Sequence, residues 1–288
     1  MNAPANPRRS LLYMPGANPR AMAKARGIDC DVVIFDLEDA VAPNEKVSAR
    51  GLIQEALDEG GYGHRELVVR VNSLSTPWGK DDVAAFAKYP LSALLFPKVE
   101  SVDEVAEILA VLDAADGPTL PIWIMVETPK GVLDLRHVAD HKRIEALVMG
   151  TSDLVKELRA SHTQDRHNLD YALQQCVLVA RLLQKEIFDG VHLDFKNLTS
   201  LQKVCEGGRA MGFDGKTLIH PGQVEMANEI FGYSDEDIAQ AHQILQVWEQ
   251  ALKEGKGVAV LDGKLIENLH AQEAQRIVAF AESLAARE

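Results

Sequence analysis

ALLFPKVESVDEVAEILAVLDAADGPTLPIWIMV, residues 93–126, reads as strand, helix and strand. Residues 93–97 and 120–126 are short aliphatic runs without polar alternation, the pattern of strands buried on both faces. Between them Ser101 and Glu104 have the spacing of a capping box, and Val105, Ile108, Leu109 and Leu112 share one helix face that should pack on a sheet. The unit is a βαβ crossover, which implies a parallel sheet. Similar runs lie at 10–14, 31–37, 66–71, 146–149, 190–193 and 217–219, making eight in all. Helical patterns cover about 44–59, 169–185, 198–211 and 222–231. Eight strand–helix pairs without a Gly-x-Gly-x-x-Gly fingerprint predict an α/β chain folded as a (β/α)8 TIM barrel, not an open doubly wound sheet.

Residues 1–232 are expected to form the catalytic barrel and 233–288 a C-terminal helical extension. The extension begins with an amphipathic stretch at 234–255 and a Gly255-Lys-Gly257 hinge. A short apolar run, a turn at Asp262-Gly263 and a last helix follow. It reads either as a mobile or swapped lid or as a helix capping the barrel floor.

Composition excludes several classes. With 47% hydrophobic and 25% charged residues the chain is neither disordered nor fibrous. A formal charge of -13 without a basic patch argues against nucleic acid and anionic lipid as partners. Cys30, Cys176 and Cys205 are widely spaced and contain no Cys-x-x-Cys pair, which suits a reducing, cytoplasmic setting. The apolar runs fall far short of the ~18 residues of a membrane span, and residues 1–9 lack the apolar segment of a signal peptide.

A barrel of this kind keeps its chemistry where the strands end. The second strand ends in Asp36-Leu-Glu38-Asp39, the third in Arg70-Val-Asn72, the fourth in Pro97-Lys98 and the fifth in Glu127-Thr-Pro129. The sixth leads into Gly150-Thr-Ser-Asp153, the seventh into Asp194 and the eighth into His220-Pro221. Converging carboxylates without His or Cys select a hard cation, Mg²⁺ with Mn²⁺ as the alternative, and such an ion needs only one or two protein carboxylates. Glu127 and Asp153 are the candidate ligands; otherwise Glu127 is a solvated loop residue and Asp153 a helix N-cap. Arg70 presents a planar fork to a carboxylate or enolate oxygen, or forms a structural ion pair with the Asp36 cluster. Asp36, Glu38 and Asp39 would orient Arg70 or metal-bound water, or ligate the ion directly. Lys98 could instead form a Schiff base. His137 and His141, at i and i+4, have zinc-like spacing but lack the His-Glu-x-x-His glutamate and read as a solvated face.

Seven segments in order carry a resemblance: Arg9-Ser-Leu-Leu-Tyr-Met-Pro-Gly16, Phe35-Asp-Leu-Glu-Asp-Ala-Val-Ala-Pro43, Val69-Arg-Val-Asn72, Pro97-Lys-Val99, Glu127-Thr-Pro-Lys-Gly131, Gly150-Thr-Ser-Asp-Leu154 and Gly215-Lys-Thr-Leu-Ile-His-Pro221. Over nearly its whole length the chain resembles the citrate lyase β-subunit branch of the HpcH/HpaI aldolases, a group that includes malyl-CoA and citramalyl-CoA lyases. The resemblance implies Mg²⁺ on Glu127 and Asp153, Arg70 on the reacting carbonyl, and coenzyme A contacts from Tyr13, Lys24, Ile219 and His220. It also implies a homo-oligomer, a trimer, in which a neighbour's lid supplies a catalytic acid. That acid is aspartate in the family and Glu267 here, in Gly263-Lys-Leu-Ile-Glu267. A second departure is Leu183-Gln-Lys-Glu-Ile187, where relatives have a small, Ala/Gly-rich turn. The expected reaction is retro-aldol cleavage of an acyl-CoA substrate to acetyl-CoA and pyruvate or glyoxylate. A thioesterase, a citryl-processing subunit and a non-catalytic CoA-binding barrel are the alternatives.

Overall fold

Eight short strands rich in Val, Ile, Leu and Phe carry the architecture of the computed structural model, which describes residues 6–117 and 119–287. They are β1 (Ser10–Pro15), β2 (Val32–Asp36), β3 (Glu66–Arg70), β4 (Ala93–Phe96), β5 (Ile122–Val126), β6 (Ile144–Met149), β7 (Glu186–Asp189) and β8 (Gly215–Leu218). All pair in parallel in chain order, and β8 returns to β1 through the Ser10–Lys216, Leu11–Thr217 and Leu12–Leu218 register. Helices α1 (Pro19–Ala25), α2 (Lys46–Glu59), α3 (Gly79–Phe86), α4 (Val102–Ala114), α5 (Pro129–Val138), α6 (Thr151–Glu157), α7 (Asp170–Leu182), α8 (Leu198–Met211) and α9 (Val224–Ile230) follow the strands. The (β/α)8 barrel is therefore observed.

Strand parity divides the core in two. Leu11, Val32, Ile34, Val68, Leu95, Trp123, Val148 and Phe188 fill the barrel interior, where the Trp123 and Phe188 rings lie 5.3 Å apart. The alternate residues Leu12, Val33, Phe35, Val69, Leu94 and Ile124 join Ile53, Phe86, Ile108 and Leu135 of the helices in the outer layer. Removing one such large side chain typically costs about 3–5 kcal/mol, so each layer depends on its aromatics.

Four local expectations change. The seventh strand is Glu186–Asp189, not 190–193, so the strand end carries Asp189 and Asp194 falls in the following loop. The helical period predicts a helix to Lys185, whereas α7 stops at Leu182 and Gln184 turns into the left-handed region at φ 55°. At α4, Ser101 caps the Glu104 N–H as expected, but the Glu104 carboxylate accepts from Glu100 N–H instead of closing the box. Finally α5 ends at Val138, so His137 and His141 do not share a helix.

Two compact units are present: Arg9–Phe231, and residues 6–8 with 232–287. The second contains α10 (Asp235–Lys253), the hairpin β9 (Ala259–Leu261) and β10 (Lys264–Ile266), and α11 (Asn268–Ala285). Ser234 begins α10 with a capping box to Asp237. Asp262 (φ 50°) and Gly263 (φ 75°) make the two-residue hairpin turn, the conformation an Asp-Gly pair favours. Small residues Ala241, Ala251, Ala271 and Ala274 are buried in this unit, while Val260, Leu265 and Leu269 are exposed.

Candidate active site

Asp36 and Arg70 end neighbouring strands and are register partners. Each lies two residues beyond an interior side chain, Ile34 or Val68, so both project inward at the barrel's C-terminal end. Arg70 Nε and Nη2 donate to Asp36 Oδ1 and Oδ2 at 2.7 and 2.6 Å. Asp36 also accepts the Glu38 and Ala40 N–H groups. The remaining nitrogen, Nη1, faces Glu38 Oε2 at 2.9 Å and Asp39 Oδ2 at 3.7 Å, and the guanidinium lies 4.7 Å from the Tyr13 ring centroid. Burial opposes the Arg70 charge, but Asp36 and its neighbours outweigh it and hold the guanidinium protonated. Desolvation keeps the Tyr13 phenol well above the ordinary tyrosine range. The ion-pair reading of Arg70 is thus realised, with each guanidinium nitrogen facing a carboxylate, and the side chain lines the cavity.

Glu127 lies two residues beyond the interior Met125 and is 2% exposed, which excludes the solvated-loop reading. Its Oε1 accepts the Lys98 N–H at 2.8 Å. A Cβ on Gly150 would fall 2.4 Å from Glu127 Cβ and 2.5 Å from Oε2, so glycine at the end of β6 makes room for this side chain. Desolvation first, then the charge of Glu38, pushes the Glu127 carboxyl up to about 8. Asp153 stands in the first turn of α6, whose N-cap is Gly150, so the capping reading of Asp153 also fails. Lys98 Nζ approaches Glu38 Oε1 at 3.5 Å and Asp153 Oδ2 at 3.6 Å. Desolvation lowers its proton affinity, but Glu38, Glu127 and Asp153 together raise it more, so the amine is kept as ammonium and is a poor Schiff-base nucleophile.

Tyr13, Asp36, Asp39, Arg70, Glu127, Asp153 and Ile219 line one cavity of about 360 Å³. Glu38 reaches the same cluster through Arg70 and Lys98. Lys24 is exposed on α1. Ile219 and His220 both donate their N–H groups to Gln223 Oε1, and the His220 carbonyl accepts the Gln223 N–H. The His220 ring stacks on Phe195 at 4.9 Å. Glu267 belongs to the C-terminal unit, where its N–H donates to His270 Nδ1 at the start of α11.

Sequence reading missed Met125, Thr217, Val191 and Leu193 as cavity wall. It also missed a buried charge network in the outer layer: Lys216 Nζ and Arg166 Nη1 each donate to the Asp189 carboxylate at 2.8 Å. Asp189 and Lys216 are fully buried. The signal was the Lys in Gly215-Lys-Thr217, a charge inside an apolar run that requires a partner.

Five carboxylates, Asp36, Glu38, Asp39, Glu127 and Asp153, face two cations, Arg70 and Lys98, at this mouth. Among the described residues no three His, Cys, Asp or Glu side chains form a ready metal cage. Two hard carboxylates on a shared cavity do fit a divalent ion that retains water and takes further oxygens from a substrate.

A parallel barrel with an acidic, arginine-bearing cavity at its C-terminal mouth defines a barrel enzyme. The model of the HpcH/HpaI aldolase/citrate lyase family matches residues 9–221, and the chain belongs to this family, of carbon–carbon lyase type. A (3S)-malyl-CoA thioesterase of Cereibacter sphaeroides is 46% identical over 98% of this chain and 97% of its own length. The citrate lyase β subunit of Leuconostoc mesenteroides subsp. cremoris is 32% identical over 95% and 93%. The structure of the protein CitE from Mycobacterium tuberculosis, in complex with magnesium, acetoacetate and coenzyme A, superimposes with a TM-score of 0.76, covering 96% of this chain and 98% of that one at 26% identity. Among the described residues no helix is long and apolar enough to cross a membrane.

Proposed function

We propose that this protein is a Mg²⁺-dependent lyase that cleaves a 3-hydroxyacyl-CoA carrying a carboxylate beside its hydroxyl, malyl-CoA or citramalyl-CoA, to acetyl-CoA and glyoxylate or pyruvate. The observation that carries this reading is the convergence of Arg70, Glu127 and Asp153 on one cavity. Bound by Glu127 and Asp153, Mg²⁺ would supply Lewis-acid polarisation of the substrate's hydroxyl and carboxylate oxygens. Arg70, on the cavity wall, holds the thioester carbonyl and takes up the negative charge that develops there as the carbon–carbon bond breaks. The Asp36 fork fixes the guanidinium plane, and Tyr13 closes its other face. The hydroxyl proton passes to solvent as the carbon–carbon bond breaks, and a protonated Glu267 of a neighbouring copy delivers a proton to the enolate carbon. The exposed Val260, Leu265 and Leu269 around it suit a lid that closes on another surface. The assembly is a trimer, and three buried free cysteines support a reducing, cytoplasmic setting.

One observation favours a second reading, hydrolysis of the thioester at the same site: the 46% identical relative is a malyl-CoA thioesterase. Incubating the purified chain and Mg²⁺ with (3S)-malyl-CoA and citramalyl-CoA, with products identified by mass, separates the two. Acetyl-CoA with a 2-oxo acid supports the lyase; free CoA with intact hydroxy acid supports the hydrolase. Turnover of neither substrate by the isolated chain removes both and favours a subunit that needs carrier partners.

A further inference from the structure

Lys98 occupies a backbone conformation that a side chain seldom adopts, φ 52°, at the end of β4. Two separate interactions accompany it. The backbone N–H is turned onto Glu127 Oε1, and the ammonium is placed between Glu38 and Asp153. The other acids at the mouth are differently provided for. Asp36 receives both prongs of the Arg70 fork, and Glu38 faces Arg70 Nη1 through Oε2 and Lys98 Nζ through Oε1. For Asp153, Lys98 is the cation within ion-pair distance among the described residues.

Building on the reading of Glu127 and Asp153 as metal ligands, we propose that Lys98 is the resident counter-cation of the metal site, a positioning residue that holds Asp153 in the metal-free protein and yields it to the incoming ion. The contact lengths suit an exchangeable role. At 3.5 and 3.6 Å the ammonium is in charge contact with Glu38 and Asp153 without a short hydrogen bond to either. A divalent ion outcompetes a single charge at that distance for the Asp153 carboxylate. Glu38 keeps the displaced ammonium, so no acid is left uncompensated during the exchange. Lys98 thereby limits mutual repulsion of the mouth carboxylates before metal arrives and, by the same charge, weakens metal binding. The backbone N–H is independent of the side chain and survives substitution.

The test is Mg²⁺ binding by the metal-free full-length chain, measured by calorimetry at fixed pH and ionic strength without substrate. Lys98→Met should bind Mg²⁺ about five- to tenfold more tightly than the natural chain, because the competing charge is gone while the N–H to Glu127 remains. Its metal-free melting temperature should fall and its Mg²⁺-induced rise should be larger. Lys98→Arg should restore near-natural affinity. Unchanged or weaker Mg²⁺ binding by a folded Lys98→Met overturns the proposal while leaving the ligand assignment intact. Absence of Mg²⁺ binding by the natural chain overturns both.

Discussion

Replacing Glu127 by glutamine should stabilise the metal-free protein while destroying the metal site. The carboxyl titrates near its ordinary value of 4.5 in the unfolded chain and at about 8 when folded. Between these values the unfolded chain releases a proton that the folded chain retains, so folding is penalised as pH rises. At pH 7 the difference of about 2.5 pH units corresponds to roughly 3 kcal/mol against the native state. Below pH 4.5 the penalty vanishes, and above about 8 it reaches its plateau. Glutamine is neutral throughout and keeps an oxygen for the Lys98 N–H. Urea unfolding in EDTA should therefore show Glu127→Gln to be more stable than the natural chain by about 3 kcal/mol at pH 7 and by under about 1 kcal/mol at pH 5. Mg²⁺ should reverse the order by stabilising only the natural chain. Equal stability at both pH values in EDTA would refute the account of Glu127 as a desolvated acid awaiting a cation.

Arg70→Lys should lose on the order of a hundredfold or more in kcat, since an ammonium cannot hold Asp36 with two prongs and also present a third donor. Asp36→Asn, which keeps the guanidinium but loosens its plane, should lose less, and steady-state kinetics on both variants checks the order. Gly150→Ala places a methyl 2.4 Å from Glu127 Cβ and should destabilise by about 1–3 kcal/mol in urea unfolding while weakening Mg²⁺ binding. Lys216→Met strands the buried Asp189 with Arg166 alone and should cost about 3–5 kcal/mol of stability, read by the same assay. Co-assembled Glu267→Gln and Asp153→Asn subunits should regain lyase activity that neither shows alone; verified mixed oligomers that stay inactive would exclude a lid acting between copies.

Where the linear pattern was strong, local reading placed elements to within a residue or two. The aliphatic runs of β2, β3 and β5 and the periodic face of α8 have one compatible state each, because burial on both faces or on one stripe leaves a direct mark in residue order. It failed at β7, where Glu186-Ile-Phe-Asp189 is only four residues long with an acid at either end. Its membership in the sheet comes from pairing with β6 and β8, not from its own composition.

The amino-acid sequence by itself determined that a parallel barrel forms and that its mouth carries Asp36, Arg70, Glu127 and Asp153, since these types sit where apolar runs stop. It equally determined that the mouth is acidic. Tertiary structure decided what those groups do to one another. The bidentate Arg70–Asp36 pair follows from the register of β2 on β3, and the raised Glu127 carboxyl from desolvation inside the closed barrel. The Lys98 charge contacts with Glu38 and Asp153 likewise join three separate connections. Residue order records which chemical groups end each strand. Electrostatic coupling depends on distances across strands and on the water excluded between them, and those exist only once the barrel has closed.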